Sequence, residues 1–406
     1  MKKSILSKLQ KKIEANFEDQ VNLVSQLVRA KSANPYTPNN SPKDVGIEKE
    51  VAEILFAKLK EFGLDPQRKG VSKERYNVIG TWGNKRGRKS LILNGHMDTI
   101  MPNEKAVINP YAGLVRSKKL YGLGALDMKA TLSAYVYAVR ALQEVGVELG
   151  GKLLLWFVVD EESGACSQYG TSYLLEQGLR AKAAIIGKPG TKTIGIGHRG
   201  GYRFKLMVKG ESVHTGVSVW EKKERGRNAA VDMAKAILAL QDLDVPYKPA
   251  KNFAGRKPVF TFPTKLTAGH AINVVPELAE AFGDVRLMPG NSDVQVKMLM
   301  VEKLQKLGIK FEIEDLLFVP AVEIDVKEGL VEILRNEARE VLGREPVTKG
   351  VGPWNDAWML IQRDIPTICG FGPDGGNEHG EDEYVNLESL KKVTEVYARV
   401  IWEYLS

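Results

Sequence analysis

Apolar residues along the first half of the chain follow two patterns, helical spacing and short continuous runs. Residues 17–31 and about 46–62 repeat apolar side chains at helical spacing, which predicts two amphipathic helices. Residues 76–80 and 90–94 resemble strands, and the core of the second is continuously apolar, as in a sheet covered on both faces. The region continues with a predicted helix 129–144, a strand 153–159, a helix near 171–178 and a strand 183–186. This alternation is typical of an α/β fold.

The pattern changes near residue 200. The predicted elements are then a strand 201–209, a helix 225–242, strands 257–267 and 278–288, a helix 292–307 and a strand 310–315. This βαββαβ order is ferredoxin-like. Strict alternation in the strand 201–209 predicts a sheet with one face open or paired with a partner. After residue 316 the alternation of helices and strands returns, with predicted helices 327–342, 355–362 and 387–404 and predicted strands 346–349 and 367–370.

These elements predict one α/β domain in two sequence pieces, residues 1–194 and 317–406, with a smaller domain inserted at 195–316. The α/β domain should contain a mixed, largely parallel sheet covered by helices. The inserted domain should be the ferredoxin-like βαββαβ unit.

Composition limits the possible functions. The 406 residues include 58 basic and 50 acidic side chains, and the net charge of +8 is spread along the chain. We therefore expect no nucleic-acid partner, because such proteins concentrate their basic residues, and we expect a small anionic substrate. With Cys166 and Cys369 as the only cysteines, no signal-peptide core and no apolar run of membrane-spanning length, we expect a cytoplasmic protein without a membrane partner.

Residues of the kind that bind metals recur in a fixed order: His96, Asp98, Asp127, Asp160-Glu161-Glu162 and His379. Most follow an apolar run or lie in a Gly-rich loop. Imidazoles together with several carboxylates suit one or two cations such as zinc. One position breaks the pattern, because Lys188 stands after the strand 183–186 where a further carboxylate would be expected.

Each of these residues also has a structural alternative. Asp98 could hold the second ring nitrogen of His96, or His96 could be an ordinary turn histidine. Asp127 could be a ligand or a helix N-cap. Glu161 and Glu162 point in different directions, so one could bind metal while the other acts as a base, or both could be surface charges.

Three further histidines lie in or beside the inserted domain. His214 follows its first predicted strand, whereas His198 precedes that strand and His270 lies between the middle two strands. We treat His198 and His270 as structural.

Together these motifs resemble the co-catalytic zinc family of aminoacylases, acetylornithine deacetylase, succinyl-diaminopimelate desuccinylase and glutamate carboxypeptidases. The resemblance covers nearly the whole chain. It is carried by Gly95-His96-Met97-Asp98-Thr99, Leu126-Asp127-Met128-Lys129, Asp160-Glu161-Glu162-Ser163-Gly164, and His379 followed by Glu383-Tyr384-Val385.

The resemblance implies a role for each residue. Asp127 would bridge two metals, with a cis peptide to Met128. One metal would take His96 and a third carboxylate, and the other would take Glu162 and His379. Glu161 would be the general base, with Asp98 supporting His96. His214 would stabilise the oxyanion in the site of a partner subunit, which makes the inserted domain a lid and dimerisation domain. Asn273 and Arg286 would bind the carboxylate end of the substrate.

Two departures from the family pattern stand out, Lys188 in place of the acidic residue and Leu123 where an arginine is common. An ammonium group cannot bind a metal, so we expect one or two ions per subunit, of zinc or else cobalt or manganese. The leading hypothesis is a metal-dependent amidohydrolase that removes the acyl group of N-acyl amino acids and acts as a homodimer. A carboxypeptidase or dipeptidase is the alternative enzyme, and a catalytically silent small-acid-binding relative is the alternative of another class.

Overall fold

The computed structural model describes residues 2–37, 40–162 and 167–406, so Ser163, Gly164 and Cys166 lie outside the described residues. The helices are α1 (Lys2–Ala15), α2 (Phe17–Arg29), α3 (Lys49–Glu61), α4 (Ala130–Glu144), α5 (Thr171–Glu176), α6 (Ser218–Glu221), α7 (Ala229–Leu240), α8 (Asp293–Gln305), α9 (Gly329–Leu342), α10 (Ala357–Ile361) and α11 (Leu387–Leu405). Among the described residues, none of the helices has the length and apolar character needed to cross a membrane.

The strands are β1 (Gln67–Gly70), β2 (Tyr76–Gly83), β3 (Ser90–His96), β4 (Leu114–Arg116), β5 (Lys119–Tyr121), β6 (Lys152–Val158), β7 (Ala183–Ile186), β8 (Thr193–His198), β9 (Gly200–Lys209), β10 (Val259–Ala268), β11 (Leu278–Leu287), β12 (Lys310–Val319), β13 (Val322–Glu323), β14 (Val347–Val351), β15 (Thr367–Ile368), β16 (Gly375–Gly376) and β17 (Tyr384–Asn386).

The chain divides into two compact units. The first comprises Met1–Gly197, Glu323–Val351 and Asn355–Ser406, and the second comprises His198–Val322 and Gly352–Trp354. The second unit is thus inserted into the sequence of the first. The domain limits inferred from the sequence stay a prediction, because compactness alone does not define an independently folding domain.

The main sheet of the first unit has the strand order β1-β2-β6-β3-β7-β15. Strands β6, β3, β7 and β15 run parallel, while β1 and β2 are antiparallel to their neighbours, so the sheet is mixed and largely parallel as predicted. The apolar runs of β3, β6 and β7 are buried because helices cover the sheet. Helix α4 is buried along most of its length and packs against α1, α2 and α11.

A second sheet of the first unit joins segments that are far apart in sequence. Its order is β16-β17-β5-β4, and β17 pairs antiparallel with β5 through Tyr384 opposite Tyr121 and Val385 opposite Leu120. Strand β5 leads into the loop that carries Asp127, whereas His379 lies between β16 and β17. The β5–β17 pairing therefore fixes the Asp127 loop next to the His379 loop.

The second unit has the predicted ferredoxin-like architecture. Its strands β9, β10, β11 and β12 form an antiparallel sheet of order β10-β11-β9-β12, and α7 and α8 are its main helices. Alternate residues of β9 are buried against the helices, namely Tyr202, Phe204, Leu206 and Val208. Polar side chains of the opposite face remain partly exposed, and Lys205 there forms an ion pair with Glu314 at 2.6 Å.

Candidate metal centre

Three neighbouring parallel strands, β3, β6 and β7, end beside one another and lead to His96, the Glu161–Glu162 pair and Lys188. His96 is the last residue of β3 and lies opposite Val158 of β6, while Asn94 lies opposite Ile186 of β7. The segments that follow β6 and β7 therefore emerge at the same edge of the sheet as His96. Ligands of open α/β sheets bind at this carboxyl edge.

His96 is buried, and the environment of its ring defines the tautomer. Nδ1 lies 3.0 Å from the backbone carbonyl oxygen of Asp98 and 3.6 Å from the Asp98 carboxylate. Because a carbonyl oxygen only accepts hydrogen bonds, Nδ1 donates, so in the neutral imidazole the lone pair is on Nε2 and faces the centre. The backbone of Asp98 thus fills the role that the sequence argument gave to its side chain.

The Asp98 carboxylate instead holds the turn that carries the two glutamates. It accepts hydrogen bonds from the backbone N–H of Glu161 at 3.2 Å and of Glu162 at 3.0 Å. The amide of Asn34 donates to the same carboxylate at 3.1 Å. Asp98 is therefore a positioning residue for the glutamate pair.

A buried ion network supports the residue that begins this turn. Asp160 has a left-handed backbone with φ of 70°, which aspartate tolerates better than most residues. Arg75 donates to Asp160 at 2.8 Å and to Glu48 at 2.9 Å, and all three side chains are buried. Neither Arg75 nor Glu48 had been singled out from the sequence, because neither belongs to a local pattern.

Asp127 lies between the two histidines of the centre. Its Oδ1 is 3.1 Å from His96 Nε2, and its Oδ2 is 3.5 Å from His379 Nε2. The peptide that follows, Asp127–Met128, is cis, as the resemblance implied. The two oxygens of the Asp127 carboxylate therefore face one imidazole each.

Glu383 fixes the loop that carries Asp127 by accepting hydrogen bonds from the loop backbone. Three backbone N–H groups of the loop donate to its buried carboxylate: Gly124 at 3.0 Å, Leu126 at 2.8 Å and Asp127 at 3.0 Å. Burial nevertheless raises the pKa of Glu383 to about 7. The sequence pointed to Glu383 only as part of a motif, and its function as a clamp on the loop was missed.

His379 and Glu162 complete one half of the centre. His379 Nε2 lies 3.1 Å from Glu162 Oε1, close to the 3.5 Å that separates it from Asp127. Atoms that bind one metal ion at about 2.0–2.2 Å lie roughly 3 to 3.5 Å from one another, which matches these distances. Two carboxylates and one imidazole are also a ligand set that suits zinc, cobalt or manganese. The residues of this half therefore fit a metal ion.

Glu378 also belongs to this region. One ligand atom each of Asp127, Glu378 and His379 lie within 4.8 Å of one another, as do those of His96, Glu161 and Glu162. Glu378 was not predicted, because nothing in its sequence context separates it from other exposed glutamates.

Lys188 enters the other half of the centre. Its Nζ lies 2.9 Å from His96 Nε2 and 2.9 Å from each carboxylate oxygen of Asp127. Burial disfavours the charged ammonium, but the carboxylates of Asp127, Glu161 and Glu162 outweigh that effect and hold the pKa of Lys188 well above its ordinary value. Lys188 is thus a fixed cation in the position where the family pattern has a carboxylate.

Glu161 lies next to this ammonium. Its Oε1 is 3.4 Å from Lys188 Nζ, and its Oε2 is 3.8 Å from His96 Nε2. Burial raises the pKa of Glu161 to about 7, although Lys188 and His96 both act against the rise. A carboxylate of this kind is suited to exchanging protons near neutral pH.

The remaining predicted residues lie in the second unit. His214 is exposed, and its Nε2 lies 3.2 Å from the side-chain nitrogen of Asn273. Arg286 donates to Asp284 at 2.7 Å, and its guanidinium lies 4.3 Å from the centre of the Trp354 ring. The structure therefore brings His214 and Asn273 together, while Arg286 is held by a different pair of residues.

Comparison with known proteins shows similarity to one family over most of the chain. The sequence model of "Peptidase family M20/M25/M40" matches residues 92–403. N-formyl-4-amino-5-aminomethyl-2-methylpyrimidine deformylase of Bacillus subtilis is 25% identical over 421 residues, with 96% of this chain and 95% of the relative covered. Succinyl-diaminopimelate desuccinylase of Methylorubrum populi is 26% identical and covers 91% and 96%, respectively. Acetylornithine deacetylase of Photorhabdus laumondii is 26% identical and covers 90% and 94%.

Solved structures share the fold at lower identity. The M20 family metallo-carboxypeptidase Sso-CP2 from Sulfolobus solfataricus has a TM-score of 0.78 at 19% identity, with 95% of this chain and 99% of that chain covered. The YXEP protein of Bacillus subtilis, described as a dinuclear metal-binding peptidase from the M20 family, has a TM-score of 0.69 at 17% identity, with 98% and 99% covered.

Proposed function

The chain belongs to peptidase family M20/M25/M40 and is therefore a metal-dependent hydrolase of amide or peptide bonds, and on this premise we propose that it removes the acyl group of N-acyl amino acids. The observation that carries the proposal is the position of Glu161, which lies 3.8 Å from His96 Nε2 and belongs to one group of possible metal ligands with His96 and Glu162. The three relatives of higher sequence identity named above are a deformylase, a desuccinylase and a deacetylase, which supports removal of an acyl group, whereas the two solved structures of lower identity are peptidases.

Asp127, Glu162 and His379 would hold the metal of this reaction. A metal ion there supplies a Lewis acid for the amide carbonyl and makes a neighbouring water a better nucleophile. The Glu161 carboxylate accepts the proton of the attacking water and then delivers it to the leaving amine nitrogen. Asp98 keeps Glu161 and Glu162 in place through its hydrogen bonds to their backbone.

The second unit would contribute substrate recognition. His214 would stabilise the developing oxyanion in the site of a partner subunit, which makes the active protein a homodimer. Asn273 and Arg286 would bind the carboxylate end of the substrate, and a guanidinium suits that task because it donates two parallel hydrogen bonds. The zinc, cobalt or manganese preference and a cytoplasmic location remain parts of the same proposal.

A hydrolysis screen tests the proposal. Purified protein would be assayed on N-acetyl amino acids, N-succinyl amino acids and dipeptides, each with added zinc, cobalt or manganese. Release of the free amino acid from the acyl substrates supports the deacylase. Turnover confined to peptides would favour the carboxypeptidase or dipeptidase, and no turnover with any metal would favour the silent small-acid-binding relative.

A further inference from the structure

We propose that the Lys188 ammonium takes the place of one of two metal ions, so that the centre holds a single metal ion, at Asp127, Glu162 and His379. The inference goes beyond the proposed function, because it concerns the number of metal ions and needs no substrate to be tested. It rests on the contacts of Lys188 with His96, Asp127 and Glu161 and on the backbone that places Lys188 among them.

The backbone brings Lys188 to His96 by strand register. Asn94 of β3 lies opposite Ile186 of β7 in the parallel pair, and both His96 and Lys188 come two residues later. Gly187 lets the chain pass close to α4, because a Cβ at that position would lie 2.1 Å from the Thr131 methyl group and 2.5 Å from the Tyr135 hydroxyl. The approach of Lys188 is therefore built into the sheet and into its packing on α4.

The lone pair of His96 shows why the ammonium and a metal exclude one another. Nδ1 donates to the Asp98 carbonyl, so a neutral His96 has a single lone pair to offer, on Nε2. An ammonium only donates, and Lys188 Nζ lies 2.9 Å from this atom. Nε2 accepts the hydrogen bond of Lys188 and is then closed to a metal ion.

The charge around Lys188 keeps it in place. Its side chain is 18% exposed and forms ion pairs with Asp127 at 2.9 Å and Glu161 at 3.4 Å. Removing one partner of a buried ion pair leaves an uncompensated charge, which is strongly unfavourable. Displacement of the ammonium by a second metal ion would have to overcome a cost of that kind.

The other half of the centre remains open to a metal. The Asp127 oxygens each have two lone pairs, so Oδ2 can accept from Lys188 and still face the His379 side, 3.5 Å from Nε2. His379 and Glu162 keep their own 3.1 Å contact. The charge of Lys188 thus substitutes for one ion without consuming the ligands of the other.

Metal analysis of the whole protein tests the inference. Wild type, Lys188→Glu and Lys182→Glu would be loaded with zinc, freed of excess ion and measured by mass spectrometry. We expect one ion per chain in the wild type and two in Lys188→Glu. Lys182 is the matched control, since it is an exposed lysine next to the opposite end of β7, and its variant should hold one ion. Two ions in the wild type, or no gain in a folded Lys188→Glu variant, would overturn the inference.

Cadmium NMR of the wild type gives a second measurement that does not depend on a variant folding. One cadmium resonance per chain is the expected result, and two resonances or none would overturn the inference. A wild type that holds one ion but hydrolyses no substrate would refute the proposed function and leave this inference supported.

Discussion

The Glu383 carboxylate accepts a hydrogen bond from the backbone N–H of Asp127 at 3.0 Å. Glu383 therefore positions Asp127 through the backbone of its loop. Residues that orient the candidate metal ligands, such as Glu383, can therefore be substituted without changing the ligands themselves.

We expect Glu383→Gln to weaken metal binding about tenfold to a hundredfold, because the amide places an N–H donor against an N–H group of the loop. The variant should also lose about 1–3 kcal/mol of stability, the usual cost of a buried donor without an acceptor. Metal titration and thermal unfolding measure the two effects. Glu381→Gln, an exposed change two residues away, is the control and should alter neither.

Glu161→Gln should reduce hydrolysis by about 10² to 10⁴, since the glutamine cannot accept the proton of the water. Metal content should stay nearly unchanged, because Glu161 is assigned proton transfer and not ligation. Steady-state kinetics and metal analysis of the same preparation check both parts. The exposed Glu148→Gln variant serves as the control, and loss of metal from Glu161→Gln would contradict the assignment.

Asp98→Asn separates the two roles available to Asp98. The side chain holds the Glu161–Glu162 turn, whereas the backbone carbonyl fixes His96, so the variant should lose activity while His96 keeps its Nδ1–H tautomer. We expect kcat to fall about tenfold to a hundredfold, as for other outer supports of a metal site. Nitrogen NMR of the His96 ring reports the tautomer. A change of tautomer would show that the carboxylate governs His96 after all.

Mixing of inactive subunits tests the homodimer and the action of His214 across it. Glu161→Gln and His214→Ala should each be inactive alone, and their heterodimers should regain up to one working site. The control is His270→Ala, an exposed histidine of the same unit, which should retain activity by itself. If labelled subunits exchange and no activity returns, His214 does not act in the partner's site.

Chelation should separate wild type from Lys188→Glu in thermal unfolding. The metal-free wild type keeps the Lys188–Asp127 ion pair at 2.9 Å, so its stability should fall less than that of the variant. In the metal-free variant, the carboxylate introduced at position 188 would instead lie beside those of Asp127, Glu161 and Glu162 and repel them. We expect the free energy of unfolding of the variant to fall by about 3 kcal/mol or more on chelation. Similar losses in both proteins would argue against a stabilising role for the ammonium.

The main sheet and the order of the centre could be predicted because both depend on local signals. Continuous apolar runs identified β3, β6 and β7, and polar residues directly after them indicated the carboxyl edge. Lys188 could be singled out because a further carboxylate is expected after the strand 183–186. The ferredoxin-like order of the second unit followed from the alternation of its strands and helices.

Features that depend on distant pairings could not be predicted. Strands β5, β16 and β17 have two or three residues, too few to show any periodicity. The buried Arg75–Glu48–Asp160 network joins segments whose local sequences resemble ordinary charged surface. The role of the Asp98 carboxylate was missed because spacing within one strand says nothing about the backbone of the next turn.

The pairing of β17 with β5 also determines when the centre can form. Asp127 and Glu162 precede the inserted unit and His379 follows it, so the triad closes only after the intervening chain has brought β17 to β5. Such long-range closure is entropically costly and belongs to the later steps of folding. Lys188 and Asp127 both precede the inserted unit, so their 2.9 Å ion pair joins residues of the same sequence piece, whereas the metal triad also needs His379 from the piece beyond it.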